Sequence, residues 1–176
     1  RLAGASAGTL TDALAQLATV PHYHPSVDAW AASAREVLQG LEPDLGATTE
    51  VLGTETLGIP TWHYGHEPPN LFASAIAKMF TNALRESVLL LLCDAGVVVL
   101  PGAAGTVQEI FTDACENYYA DPGTVAPLVL VGRRHWTEEL PAWGLLTSLA
   151  QGRPMAEHIH LVDSPEEAAE ILLRPA

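Results

Sequence analysis

The stretch from Gly96 to Glu109, GVVVLPGAAGTVQE, leaves this chain the fewest alternatives. Val97, Val98, Val99 and Leu100 form a continuous apolar run dominated by β-branched residues, with Gly96 and Pro101 at its ends. Such a run predicts a short strand buried on both faces, as in a parallel sheet. From Pro101 to Thr106 the chain is PGAAGT, a backbone with almost no side chain over it. Val107, Ile110, Phe111 and Ala114 then recur at helical spacing, which predicts a helix from about Thr106. Strand, bare loop and helix N-terminus bring unpaired N–H groups and the positive end of the helix dipole to one place. That geometry binds phosphate. Gly102, Ala103, Ala104, Gly105 and Thr106 are therefore the candidate cradle, and Thr106 adds a hydroxyl. Glu109 falls one turn into the helix, on about the same side as Thr106. A carboxylate beside a phosphate cradle repels the ligand, and two readings stay open. Either Glu109 does chemistry on the ligand, or it is a solvated first-turn glutamate favoured by the dipole. The loop lacks the GK[ST] ending of a Walker A loop and is not GxGxxG, and a small-residue turn after a strand is also a common packing solution.

The chain has 176 residues, which suits one domain with a real core, and its 48% hydrophobic content excludes a disordered chain. Its formal net charge of −13 argues against nucleic acid or an anionic membrane as partner. An anionic ligand must then be held locally, by helix ends and a few arginines, against the overall field. Cys93 and Cys115 form no CxxC pair and suggest no disulfide framework, so a reducing cytoplasm is expected. The longest apolar run, Val88 to Leu92, is far too short to span a membrane. No signal peptide is visible, and a start at Arg1 without Met predicts an incomplete N-terminus.

Along the chain, Leu10, Leu14 and Leu17 stripe an amphipathic helix over Thr9 to Val20. Ser26 can cap a second helix that buries Val27, Trp30, Ala31, Ala34, Val37 and Leu38 and stops at Gly40. Residues 40–56 read as loop. Leu57 to His63 reads as a strand, edge or bulged because of Pro60, leading into the loop YGHEPPN. Asn70 can cap a long helix over Leu71 to about Cys93, with Phe72, Ile76, Met79, Phe80, Ala83 and Leu84 on its apolar side. After the central strand and a helix to about Tyr119 comes an Asp121-Pro122-Gly123 turn, then a short strand, Pro127 to Val131. The helix after it is predicted to be split by Pro141 and Gly144. A last strand, Ile159 to Val162, precedes a helix opened by Ser164-Pro165-Glu166-Glu167. Strands alternate with helices from residue 57 onward, so right-handed crossovers would join them in one parallel sheet with helices on both faces. The PGAAGT loop would then sit at the carboxyl edge, where such sheets bind ligands.

PGAAGTVQE resembles the PGGxGTxxE signature of the Lonely Guy (LOG) family, with Ala103 in place of the second Gly. The stretch IPTWHYGHEPPN, then the expected long helix, then PGAAGTVQEIFTDACENYY is also similar to the larger bacterial nucleotide 5′-monophosphate nucleosidases of that superfamily. The resemblance is strong over residues 57–131 and weak at the flanks. It implies a single, Rossmann-like, doubly wound α/β domain over residues 1–176, whose first strands and GGGxxG phosphate loop would precede residue 1. It implies a phosphoribohydrolase that cleaves an AMP-like nucleoside 5′-monophosphate into free base and ribose 5-phosphate, with no cofactor and no metal. The family's catalytic pair falls on Arg85 and Glu109, and the Lys that often follows the Arg is Glu86 here. Tyr64, His66 and Asn70 would line the base or ribose, against a plainer reading as a capped turn with solvated histidines. The family pairs through helices next to the site, so a homodimer or higher homo-oligomer is expected, with the apolar helix and Tyr118-Tyr119 as surface.

The chemistry is consistent with these residues. Breaking an N-glycosidic bond builds positive charge on the ribose, and a carboxylate under the sugar can stabilise that charge and activate water. Arg85 could grip phosphate or leaving base through its fork of donors, or be a surface arginine paired with an acid. His63, His66 and Glu67 match neither HExxH nor a zinc-finger pair. The family is often labelled lysine decarboxylase, but Lys78 is the only lysine and is expected mid-helix, away from any Schiff-base context. A reading from another class, a non-catalytic nucleotide-binding or sensor protein of the same fold, competes with the enzyme.

Overall fold

A computed structural model of the chain describes residues 7–23, 25–41, 56–62 and 70–173. The chain divides into two compact units, Arg1–Arg85 and Glu86–Ala176, with the boundary inside one helix. The fold is mixed α/β, with parallel strands in two small sheets. Among the described residues no helix is long and apolar enough to cross a membrane.

In the first unit α1 (Ala7–Ala18) packs on α2 (Val27–Leu41). Ser26 caps α2 as its position predicts: Oγ accepts from the Ala29 N–H at 3.2 Å. The helix runs one residue past Gly40. The leucine stripe of α1 is not its buried side. Leu10 and Leu14 are exposed, and the contact with Val37 is made by Ala13, with Leu17 and Phe72 packed against the pair. A short side chain there lets the two helices approach. The Ser33 hydroxyl ties them further by donating to the Gln16 carbonyl at 3.0 Å.

The expected long helix from Leu71 is replaced by extended chain and a shorter helix. β1 (Leu57–Gly58) pairs in parallel with β2 (Ala75–Ile76), and Thr61 bridges to Met79. Local polar groups commit this segment away from the helix. Asn70 Oδ1 accepts from the Phe72 N–H at 2.9 Å, closing a turn instead of capping a helix. The Ser74 N–H donates to Thr56 O at 2.9 Å, while Ser74 Oγ accepts from the Thr56 N–H at 2.7 Å. Helix α3 begins only at Asn82 and runs to Leu92, with Thr81 Oγ1 accepting from the Leu84 N–H. Phe80, expected on an apolar helix face, is 81% exposed. Lys78 is not in a helix; its ammonium lies 4.0 Å over the Trp62 ring.

The second unit holds a three-stranded parallel sheet in the order β3 (Val97–Val99), β4 (Leu128–Val131), β5 (Ile159–Val162). The described strands thus form two sheets, where one was expected from residue 57 onward. β1 is only two residues long, and Pro60 behind it has no N–H to continue a ladder. The strand buried on both faces is β4, not β3. Among the described residues β3 pairs on one side only, and its Val98 is 39% exposed. Leu128 and Leu130 enter a core built with α4 (Ala104–Tyr119) and α5 (Ala142–Ala150), through Ile110, Ala114 and Leu146. Val129 and Val131 face the other way, onto Ala168, Ile171 and Leu172 of α6 (Pro165–Leu172).

Between β4 and α5, residues His135–Glu139 form a π turn, with the Leu140 N–H on the His135 carbonyl at 2.8 Å. Trp136 anchors it: the ring is fully buried and Nε1 donates to Val131 O at 2.9 Å. Pro141 separates this turn from α5, as expected, but Gly144 does not split the helix. The Thr147 and Ser148 hydroxyls donate to its carbonyl, at 3.0 and 2.8 Å. Ser164 caps α6 by accepting from the Glu167 N–H, ahead of Pro165 in the first turn.

Asn117 joins α4 to the segment before β4. Its amide donates to Ala126 O and accepts from the Ala126 N–H, both at 3.1 Å, and also donates to Asp113 Oδ2 at 3.2 Å. Burial, and secondarily the charge of Glu116, push the Asp113 carboxyl up to about 6, against the lowering effect of Asn117. A carboxyl raised above its unfolded value contributes stability that is present at low pH and lost as pH rises through the folded value. Keeping this charge buried above pH 6 costs on the order of 2–3 kcal/mol. Asp113→Asn should therefore raise the unfolding free energy at pH 8, and the gain should vanish by pH 4. Denaturant titrations at the two pH values measure this; a variant less stable than wild type at pH 8 contradicts it.

Candidate functional site

The β3 strand delivers the chain to Pro101, Gly102 and Ala103, and α4 begins at Ala104, two residues earlier than its apolar spacing predicts. The N-cap is Ala103, with φ −122° and ψ −146°, and its methyl cannot cap the helix. The Val107 N–H bonds the Ala103 carbonyl at 3.0 Å. The N–H groups of Ala104, Gly105 and Thr106 have no hydrogen-bond partner among the described residues. Three donors with no partner among the described residues thus stand at the positive end of a sixteen-residue helix, the geometry a phosphate cradle requires.

Gly102 is required by contact. A Cβ built there would lie 2.1 Å from Thr106 Oγ1 and 2.8 Å from Thr106 Cβ, so the threonine side chain folds back onto the loop. On the other side stands the turn after β4. Gly132 adopts φ +95°, a left-handed conformation that favours glycine, and a Cβ there would come within 3.1 Å of Pro101 Cγ. His135 Nε2 lies 3.0 Å from the Gly102 carbonyl oxygen. The loop is thus fixed from two elements, α4 and the β4–α5 connection.

Glu109 is half-buried and sits in the second turn of α4. The reading as a solvated first-turn glutamate does not describe it, because the helix starts earlier and the dipole effect fades beyond the first turn. Its neighbour Gln108 donates to Glu86, the residue that stands where the LOG pattern often has lysine; Glu86 is 3% exposed. No periodicity marks Glu86 as a buried acid. Arg85, half-buried on α3, donates to Asn82 Oδ1 from Nε at 3.3 Å and Nη2 at 3.0 Å. The second unit therefore brings together Gly102, Ala103, Ala104, Gly105, Thr106 and Glu109. Arg85 and Asn70 belong to the first unit, and Asn70 is exposed in its turn. Tyr64 and His66 lie outside the described residues, as do His63 and Glu67.

Of the cationic groups near the loop, Arg133 is engaged with Asp163, its Nε 3.3 Å from Oδ2, and with the Leu161 carbonyl at 2.7 Å. Arg134 faces Glu138 and Glu139. Both cysteines are free thiols, and burial, with Asp113 and Asp94, pushes the Cys93 thiol up, which leaves it a poor nucleophile. His135 is the functional candidate that motif reading passed over. Its signal was positional: it follows the end of a buried parallel strand, at the edge where ligands bind.

No family model matches the chain, and no curated protein matches it.

Replacing Gly102 by Ala tests the loop geometry. The clash with Thr106 predicts a loss of about 1–3 kcal/mol in unfolding free energy. Thr106→Ala in the same chain should recover part of it, giving a non-additive double-mutant cycle. A Gly102→Ala protein as stable as wild type would show that the loop and Thr106 are not packed as described.

Proposed function

We propose that this protein is a nucleoside 5′-monophosphate phosphoribohydrolase on a Rossmann-like, doubly wound fold. The observation that carries the reading is the β3–PGA–α4 junction, with three N–H groups that have no partner among the described residues and a half-buried carboxylate in the next turn of the helix. The resemblance of PGAAGTVQE to the LOG signature supports it. In the proposed reaction the phosphate of AMP docks on the N–H groups of Ala104, Gly105 and Thr106. The C1′–N bond breaks with its electron pair leaving on the base, which takes up a proton. Water adds to C1′ and loses a proton, giving adenine and ribose 5-phosphate. Arg85, assigned by the resemblance, would hold phosphate or leaving base. The proposal extends to Tyr64, His66 and Asn70 as base or ribose contacts, to a homo-oligomer and to a cytoplasmic location.

Glu109 carries the chemistry in this reading. In the ground state its charge repels the bound phosphate; in the transition state the ribose is cationic and the same charge becomes favourable. An interaction stronger in the transition state than in the ground state accelerates the reaction. Incubation of the full-length protein with AMP should release adenine. Glu109→Gln keeps the shape and removes the charge, and should lower turnover by about 10²–10³-fold with AMP affinity level or improved. A protein that binds AMP and releases no base is a nucleotide-binding protein without this activity. A Glu109→Gln protein that turns over at the wild-type rate excludes the mechanism.

A further inference from the structure

We propose that His135 is a positioning residue for the phosphate cradle, acting through the Gly102 carbonyl. The inference rests on the reading of the β3–α4 loop as that cradle. A carbonyl oxygen can only accept, so the 3.0 Å contact is a hydrogen bond donated by His135 Nε2–H. The Gly102–Ala103 peptide is planar, and its C=O and N–H point in opposite directions. Holding the carbonyl on the His135 side therefore aims the Ala103 N–H to the other side of the loop, adding a donor to those of Ala104, Gly105 and Thr106. The reverse orientation would present a carbonyl dipole to an incoming anion. Glycine has little intrinsic resistance to that rotation, because it accepts backbone conformations closed to other residues. Across the same peptide the Ala103 methyl opposes it, because the Ala103 φ of −122° would turn positive, and the His135 bond holds the carbonyl in addition to that steric bar.

The rest of the turn is built to keep His135 in place. Trp136, fully buried and bonded to Val131 O, fixes the backbone beside it, and the two rings meet edge to face with centroids 4.5 Å apart. The extra residue of the π turn rotates the following side chains, a distortion found frequently at functional sites. Nδ1 lies 3.2 Å from Glu139 Oε2, and Arg134 Nε approaches the other oxygen of that carboxylate at 3.4 Å. The far edge of the ring thus faces a charged pair while its near edge meets the loop. Gly132, which touches Pro101, brings the two segments close enough for the bond.

The test compares His135→Phe, which keeps a ring against Trp136 and loses the donor, with His135→Gln, whose amide nitrogen replaces Nε2. Inorganic phosphate is titrated into the full-length proteins by calorimetry, and AMP kinetics and Tm are recorded for each. The expected result is an approximately tenfold weaker phosphate affinity for His135→Phe, the usual effect of one lost hydrogen bond. His135→Gln should stay within about threefold of wild type. KM for AMP should rise in His135→Phe with kcat little changed, because phosphate binding is common to ground and transition states. Should His135→Phe fail to fold, His135→Asn, too short to reach Gly102, takes its place. Wild-type phosphate affinity in the donor-free variant overturns the inference and leaves the cradle standing. Equal weakening in both variants with a matching fall in Tm also overturns it, because His135 is then packing alone. A wild-type protein that neither binds phosphate nor releases adenine removes the cradle itself, and the inference with it.

Discussion

β4 hydrogen-bonds to β3 on one side and β5 on the other, and this double pairing sets the position of everything proposed to bind or react. Val97, Leu128 and Ile159 lie in one row across the sheet, and Val99, Leu130 and Leu161 in another. All four β4 residues are buried, so a slip of one residue would exchange the side chains meant for α4 and α5 with those meant for α6. With the register fixed, β3 ends opposite Leu130, one residue before the end of β4. Pro101 then meets Gly132, and the Gly102 carbonyl meets His135. The loop geometry is a consequence of core packing several residues away.

The electrostatics follow from the same placement. With a formal charge of −13, the chain offers an anion little long-range attraction. The arginines after β4 do not supply it either: Arg133 is engaged with Asp163, and Arg134 with Glu138 and Glu139. At the loop itself, backbone N–H groups and the end of the α4 dipole remain. They are short-range and directional, and they act only if the peptides around Gly102 are correctly turned. On the proposed reading, a histidine on a different element, bonded to one carbonyl, would therefore matter for binding. On the same reading Glu109 would act late, since a negative charge here is costly to a bound phosphate and favourable to a cationic ribose.

Much of the second unit was legible in the chain. The apolar runs at 97–100, 127–131 and 159–162 contain the strands Val97–Val99, Leu128–Val131 and Ile159–Val162, the helix after PGAAGT is present, and Ser164 caps as its position suggests, as Ser26 does in the first unit. What could not be read depends on partners distant in sequence. The segment Leu71–Thr81 has a composition that suits a helix, and only pairing with Thr56–Gly58 draws it into extended chain. Val97–Val99 and Leu128–Val131 look alike as apolar runs; which is central is decided by sheet order. The candidate site divides the same way. The bare loop, the helix start and the place of Glu109 follow from local spacing, whereas the His135–Gly102 bond spans 33 positions and the Glu86–Gln108 contact spans 22. Neither leaves a local pattern.

The central claim is that an anion binds at the start of α4. A crystal structure of the full-length protein with ribose 5-phosphate tests it most directly. The account predicts the phosphate on the N–H groups between Gly102 and Thr106, with the ribose directed toward Glu109. A phosphate bound elsewhere, with this loop empty or its N–H groups turned away, would contradict it.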